Sequence, residues 1–136
     1  MKIEKLSHVC LGTHDLSGQI DFYCDVLGFE LAHEYRNQND ERFGAFLHVG
    51  GGTFIELFND QDAPIEGGLY RHFCLHVDDL KAVADHLLER GIVLEIRRGR
   101  SDGTLLAEFS DPEGNVIEFH QYDDHSALLQ YIGEVK

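Results

Sequence analysis

The chain has no tryptophan, two prolines, one methionine, and only 11 basic residues against 25 acidic ones. Each shortage excludes something. With so little proline and no low-complexity tract, a polyproline or disordered chain is excluded, and 43% apolar residues point to a globular fold. A formal charge of −14 leaves no surface able to neutralise phosphates, so nucleic acid is excluded as a partner. The one basic cluster, Arg97, Arg98 and Arg100, is too small for a duplex and suits a small anion or a solvated loop. No apolar run approaches the roughly 20 residues needed to cross a bilayer, so no membrane span is expected. MKIEKLSH lacks the apolar core of a signal peptide, and Cys10, Cys24 and Cys74 have no zinc-ribbon spacing. Reduced thiols in the cytoplasm are the expectation.

What is present is a repeat. His8 to Leu16 (HVCLGTHDL) and His72 to Leu80 (HFCLHVDDL) agree at five of nine positions, 64 residues apart. Gly52 to Glu56 (GTFIE) likewise overlies Gly114 to Glu118 (GNVIE), at an offset of 62. Two matches in the same order divide residues 1–136 into module one (1–58), a linker (59–70), module two (71–121) and a terminal helix (124–132). The linker is rich in Asp and Gly and has no apolar period.

Each module reads as strand, helix and three strands, an α+β pattern. In module one the expected strands are Ile3 to Leu11, Phe29 to Arg36, Arg42 to Val49 and Thr53 to Phe58. Asp15 is placed as an N-cap, Leu16 to Leu27 recur at helical spacing, and Gly28 is the stop signal. In module two the strands are Arg71 to Val77, Ile92 to Arg97, Leu105 to Ser110 and Asn115 to Gln121, with a helix over Asp79 to Arg90.

Strand alternation sorts the faces. His8 shares a face with Leu6 and Cys10; His72 shares one with Cys74 and His76. Glu56 lies between Phe54 and Phe58, and Glu118 between Val116 and His120, while Ile55, Leu57, Ile117 and Phe119 point the other way. A lone carboxylate in an apolar strand costs several kcal/mol, roughly, unless something pairs with it. Two imidazoles and two carboxylates at repeat-related places supply what a divalent ion (Zn, Ni, Co, Mn or Fe) takes as ligands. The competing reading is a pair of His–Glu hydrogen bonds lining a metal-free pocket. His76 and His120 are candidate substrate contacts; His14, His33, His86 and His125 read as surface or helix residues. Cys10 and Cys74 read either as small buried apolar residues or as pocket-lining thiols.

The motifs SHVCLGTHDLSGQIDFYCDVLGFEL, TFIELF, RHFCLHVDDLKAV and FSDPEGNVIEFHQY cover most of the chain and resemble the vicinal oxygen chelate superfamily. That superfamily includes glyoxalase I, bleomycin-resistance proteins, fosfomycin-resistance enzymes and extradiol dioxygenases. The resemblance implies two βαβββ modules forming a cupped eight-stranded mixed sheet. It implies a metal held by His8, Glu56, His72 and Glu118, a four-ligand set most like glyoxalase I. It also implies a lyase or isomerase acting on a small hydroxycarbonyl substrate through a metal-chelated enediolate, with Glu118 as base and Glu56 as a near-equal choice.

Glutathione-using glyoxalases place an Arg four residues after the first ligand; here that position is Gly12. The resemblance therefore leaves room for a neutral substrate. Within the family, the loop containing Arg97 resembles that of fosfomycin-resistance transferases, and an Fe(II) extradiol dioxygenase is a further alternative. Phe22, Phe54 and Phe58 suit a metal-free drug binder of the bleomycin-resistance type. By resemblance the chain is a homodimer whose sites each take one His/Glu pair from each of two subunits.

Overall fold

A computed structural model gives the fold, and residues 1–2, 4–64 and 70–132 are described. Ile3, at the start of the first expected strand, and residues 65–69 of the expected linker lie outside the described residues. The chain divides into two compact units. One comprises Met1–Leu69 with Asp111–Gly114, the other Tyr70–Ser110 with Asn115–Lys136. None of the described helices is long and apolar enough to cross a membrane.

Unit one holds β1 (His8–Thr13), α1 (Leu16–Asp21), β2 (Glu30–Arg36), β3 (Arg42–Gly50) and β4 (Thr53–Asn59). Its four-stranded sheet has the order β1-β4-β3-β2, with β1 parallel to β4 and the other pairs antiparallel. Leu11, Ala45, Leu47, Ile55 and Leu57 are buried on the face that α1 covers. Each large aliphatic side chain removed from water there contributes about 1.5–3 kcal/mol. Leu57→Ala, at a site with no exposure, would cost about 2–5 kcal/mol.

Asp15 caps α1 as expected, accepting from the Gly18 amide at 3.0 Å. The helix expected to run to Leu27 changes register after Asp21, and Phe22–Val26 form a π-helical turn before Gly28 (φ 77°) ends the segment. The wider turn accompanies a fully buried Tyr23, which stacks near Phe29 and donates its hydroxyl to Asp111 at 2.7 Å. Gln19 donates to the same carboxylate oxygen at 3.0 Å.

Unit two holds β5 (Phe73–His76), α2 (Leu80–Leu88), β6 (Arg97–Arg98), β7 (Leu105–Ser110) and β8 (Val116–Gln121). The order β5-β8-β7-β6 repeats that of unit one, again with a parallel first pair. Asp79 caps α2 through the Ala82 amide at 3.1 Å, and Gly91 (φ 79°) follows its end. Phe73, Leu80, Leu87, Ala107, Ile117 and Phe119 are buried, with α2 against β7 and β8. Both modules are therefore βαβββ, as the repeat predicts.

Two expectations fail in unit two. The strand expected over Ile92 to Arg97 pairs only at Arg97 and Arg98. Continuing its register would set Glu95 opposite Glu108, and facing like charges disfavour a ladder. The helix expected over 124–132 is reduced to a 3-10 turn at Leu129–Tyr131. The cause lies upstream. Asp123 and Ser126 close a turn on each other, and the Ala127 amide donates to Asp102 O at 2.7 Å instead of to a helical carbonyl.

Candidate functional site

In unit one, β1 and β4 lie in register with Cys10 beside Glu56, so His8, Cys10, Phe54, Glu56 and Phe58 all stand on the face away from α1. His8 Nε2 lies 3.7 Å from Glu56 Oε1. The other carboxylate oxygen accepts from the Tyr35 hydroxyl at 3.0 Å. Around the pair is a layer of rings. Tyr35 stacks on Phe58 at 5.2 Å, Phe46 meets His8 edge-on at 5.3 Å, and Phe54 packs between Phe46 and His48. Gly44 is required here, since a Cβ would come within 2.7 Å of the Phe58 ring.

Unit two repeats the pair with different surroundings. His72 Nε2 lies 3.6 Å from Glu118 Oε2, and Glu118 Oε1 contacts His120 Nε2 directly. His120 Nδ1 lies 3.1 Å from the Tyr122 hydroxyl, and Tyr122 packs against the His76 ring at 4.8 Å. His120 thus bridges the Glu118 carboxylate at Nε2 and the Tyr122 hydroxyl at Nδ1. The repeat counterpart of His120 in β4 is Phe58, and that of Glu108 is Phe46, so one face is aromatic and the other polar.

Each glutamate side chain is only 12% exposed, and among the described residues its cationic partners are imidazoles alone. Such a carboxylate suits a divalent ion, and imidazole with carboxylate is a proper donor set for one. Both His/Glu pairs therefore fit the expected ligands half by half.

Cys10 and Cys74 are exposed, which overturns the reading of buried apolar residues. Protein packed around each sulfur still raises its thiol pKa, with Glu56 adding to the effect at Cys10 and Glu118 at Cys74, which is pushed up to about 12. Burial, then the hydrogen bond to Glu56, likewise raises the Tyr35 phenol. Arg97 is engaged by Glu108 at 3.5 Å.

His14, read from the sequence as a surface or helix residue, is part-exposed and has partners the sequence did not reveal. Its ring lies 2.9 Å from Glu113 Oε2 and 2.8 Å from Ala63 O, and Glu113 also takes the Thr13 hydroxyl at 2.8 Å. Sequence reasoning also missed Tyr35 and Tyr122. For Tyr122 the adjoining FHQY motif was the only signal.

A model of the Glyoxalase/Bleomycin resistance protein/Dioxygenase superfamily matches residues 5–119. The chain belongs to this superfamily. A probable lactoylglutathione lyase of Vibrio cholerae is 33% identical, over 96% of this chain and 99% of that protein. A glyoxalase family protein from Enterococcus faecalis has the same fold, with a TM-score of 0.74 and 25% identity over 88% of this chain and 99% of that one. TnmS3, an antibiotic binding protein from Streptomyces sp. CB03234, is similar at a TM-score of 0.69 and 26% identity, over 90% and 99%. The superfamily thus reaches this chain through relatives named both for catalysis and for binding.

Proposed function

We propose that the chain is a divalent-metal-dependent lyase or isomerase of the glyoxalase I type. The observation that carries this is the duplicated pair: His8 with Glu56 at 3.7 Å and His72 with Glu118 at 3.6 Å, on sheet faces opposite the helices. His8, Glu56, His72 and Glu118 would hold the ion, with pairs from two copies of the chain completing each site in a homodimer. A bound divalent ion would polarise a carbonyl oxygen of the substrate.

The protein's own residues then move the proton. Glu118 takes it from the carbon beside the carbonyl and returns it one carbon over. His120, in contact with Glu118 and within 3.1 Å of Tyr122, can accept or supply a proton as Glu118 does so. Glu56 has the Tyr35 hydroxyl on its second oxygen where Glu118 has an imidazole, which favours Glu118 as the base.

The substrate is small and carries a hydroxycarbonyl or related group. A Cβ at Gly12 would lie 3.2 Å from Ala63 Cβ and 3.7 Å from an Asp60 carboxylate oxygen. That corner is acidic and has no cation beside Gly12 in the contacts around it, so it disfavours a substrate carboxylate and supports a neutral compound.

Metal analysis of the protein and of Glu56→Gln and His72→Ala tests the reading. One ion per chain, lost on either substitution, is expected; unchanged metal content in both variants would overturn it. The layer formed by Tyr35, Phe43, Phe46, Phe54 and Phe58 supports a second reading, the capture of a flat aromatic compound without chemistry. An aromatic ligand bound tightly by metal-free protein would favour that reading.

A further inference from the structure

We infer that unit two carries a thiolate metal site of its own, built from Cys74, Glu118 and His120, which selects thiophilic divalent ions such as Zn²⁺. One donor atom from each of the three lies within 4.8 Å of the other two. Tetrahedral zinc bonds of about 2.3 Å to sulfur and 2.0–2.2 Å to nitrogen or oxygen set donors about 3.3–3.7 Å apart, so side-chain rotations of about an ångström close the three around one ion. Cys74 and Glu118 are neighbours across the β5–β8 ladder, and His120 lies one alternation further along the same face. All three positions are thus fixed by sheet backbone.

The site also has its orienting group. Tyr122 lies 3.1 Å from His120 Nδ1. When an ion replaces the proton between Glu118 and His120, that proton moves to Nδ1, and the Tyr122 oxygen accepts from it, holding the ring in the ligating tautomer. The Cys74 proton leaves to solvent as the sulfur–metal bond forms, so binding strengthens as pH rises. His72, 3.6 Å from the other Glu118 oxygen, borders the site as a further nitrogen donor.

Among the described residues, unit one has no equivalent. Cys10 lies beside Glu56 as Cys74 lies beside Glu118, but Phe58 occupies the place of His120. The site is therefore a property of one half of the repeat. It shares Glu118 with the four-ligand set yet needs neither His8 nor Glu56. A soft ion drawn onto Cys74 would engage Glu118 and compete with its service as a base.

Titration of the reduced, metal-free full chain with Co²⁺ tests this through the near-ultraviolet charge-transfer absorption of a cobalt–thiolate bond. The band is expected in the native protein, in Cys10→Ser and in His8→Ala, absent in Cys74→Ser, and shifted to at least about tenfold higher Co²⁺ in His120→Gln. Absence of the band from the native protein, or its survival in Cys74→Ser, would overturn the site. The proposed four-ligand function fails separately, if protein carrying Cys74→Ser, which lacks the thiolate site, holds the same metal content with and without Glu56→Gln and His72→Ala.

Discussion

The Tyr35 hydroxyl donates to Glu56 across 3.0 Å, while Glu118, its repeat counterpart, is held by His120. Equivalent carboxylates thus have unlike partners, one a phenol that titrates far above neutrality and the other an imidazole, the side chain suited to exchanging a proton near neutral pH. The duplication supplied two like glutamates, and their neighbours have since diverged.

Tyr35→Phe frees one oxygen of Glu56 while leaving the rings around it in place. Outer partners that orient a ligating carboxylate are typically worth 10–100-fold in metal affinity. The expected outcome is a drop of about that size in competition titrations with a chromophoric chelator, with little change in thermal stability. Unchanged affinity would remove Tyr35 from any positioning role.

His14 and Glu113 predict a pH-dependent contribution to stability. The hydrogen bond to Glu113, then that to the Ala63 carbonyl, raise the His14 pKa. Burial works to raise the Glu113 pKa, but hydrogen bonds from His14 and Thr13 outweigh it and leave the value lowered. The His14 contribution is complete below the unfolded pKa of about 6.5 and is lost as pH rises through the raised folded value. That of Glu113 is present above an unfolded value of about 4.3 and is lost as pH falls through the lowered one. His14→Ala should therefore lower Tm most near about pH 5.5 and progressively less toward about pH 9. A Tm difference that stays constant across that range would contradict the pairing.

Asp111 is 4% exposed and receives both Gln19 and Tyr23. Asp111→Ala leaves two buried donors without this acceptor, at about 1–3 kcal/mol each. Urea denaturation should show a loss of about 2–5 kcal/mol, and Asp111→Asn, which keeps an accepting oxygen, should recover part of it. Equal losses in the two variants would mean that the cost comes from elsewhere.

Much of this was legible in the sequence, for identifiable reasons. Strands β1, β4, β5 and β8 carry clean alternation, so the faces of His8, Glu56, His72 and Glu118 followed from period alone. Tyr35 did not, because its strand shifts register at Leu31/His33 and again at Tyr35/Arg36, which scrambles the period that would have placed it opposite Glu56. The partners of His14 were not legible because Glu113 and Ala63 are 99 and 49 residues away. The π-helical turn was hidden for another reason: Leu16, Ile20, Tyr23 and Leu27 fit an ordinary helix as well as the observed one.

Gly12 bears on the substrate. It follows His8 and Cys10 on the same face of β1, where glutathione-using glyoxalases carry an arginine. Here a side chain would meet Ala63 at once and point toward Asp60. A carboxylate brought to this corner finds a like charge instead of a cation, and juxtaposed like charges disfavour a partner even when the rest of it fits. The hemithioacetal of methylglyoxal with a neutral thiol should therefore be turned over with a higher kcat/KM than that with glutathione. The difference should appear in KM, since the corner touches binding and not the reacting carbons. Asp60→Asn should narrow the gap, and raised salt should narrow it in the native protein, because an exposed charge is screened. A preference for the glutathione adduct that persists in Asp60→Asn would show that its carboxylates are gripped elsewhere.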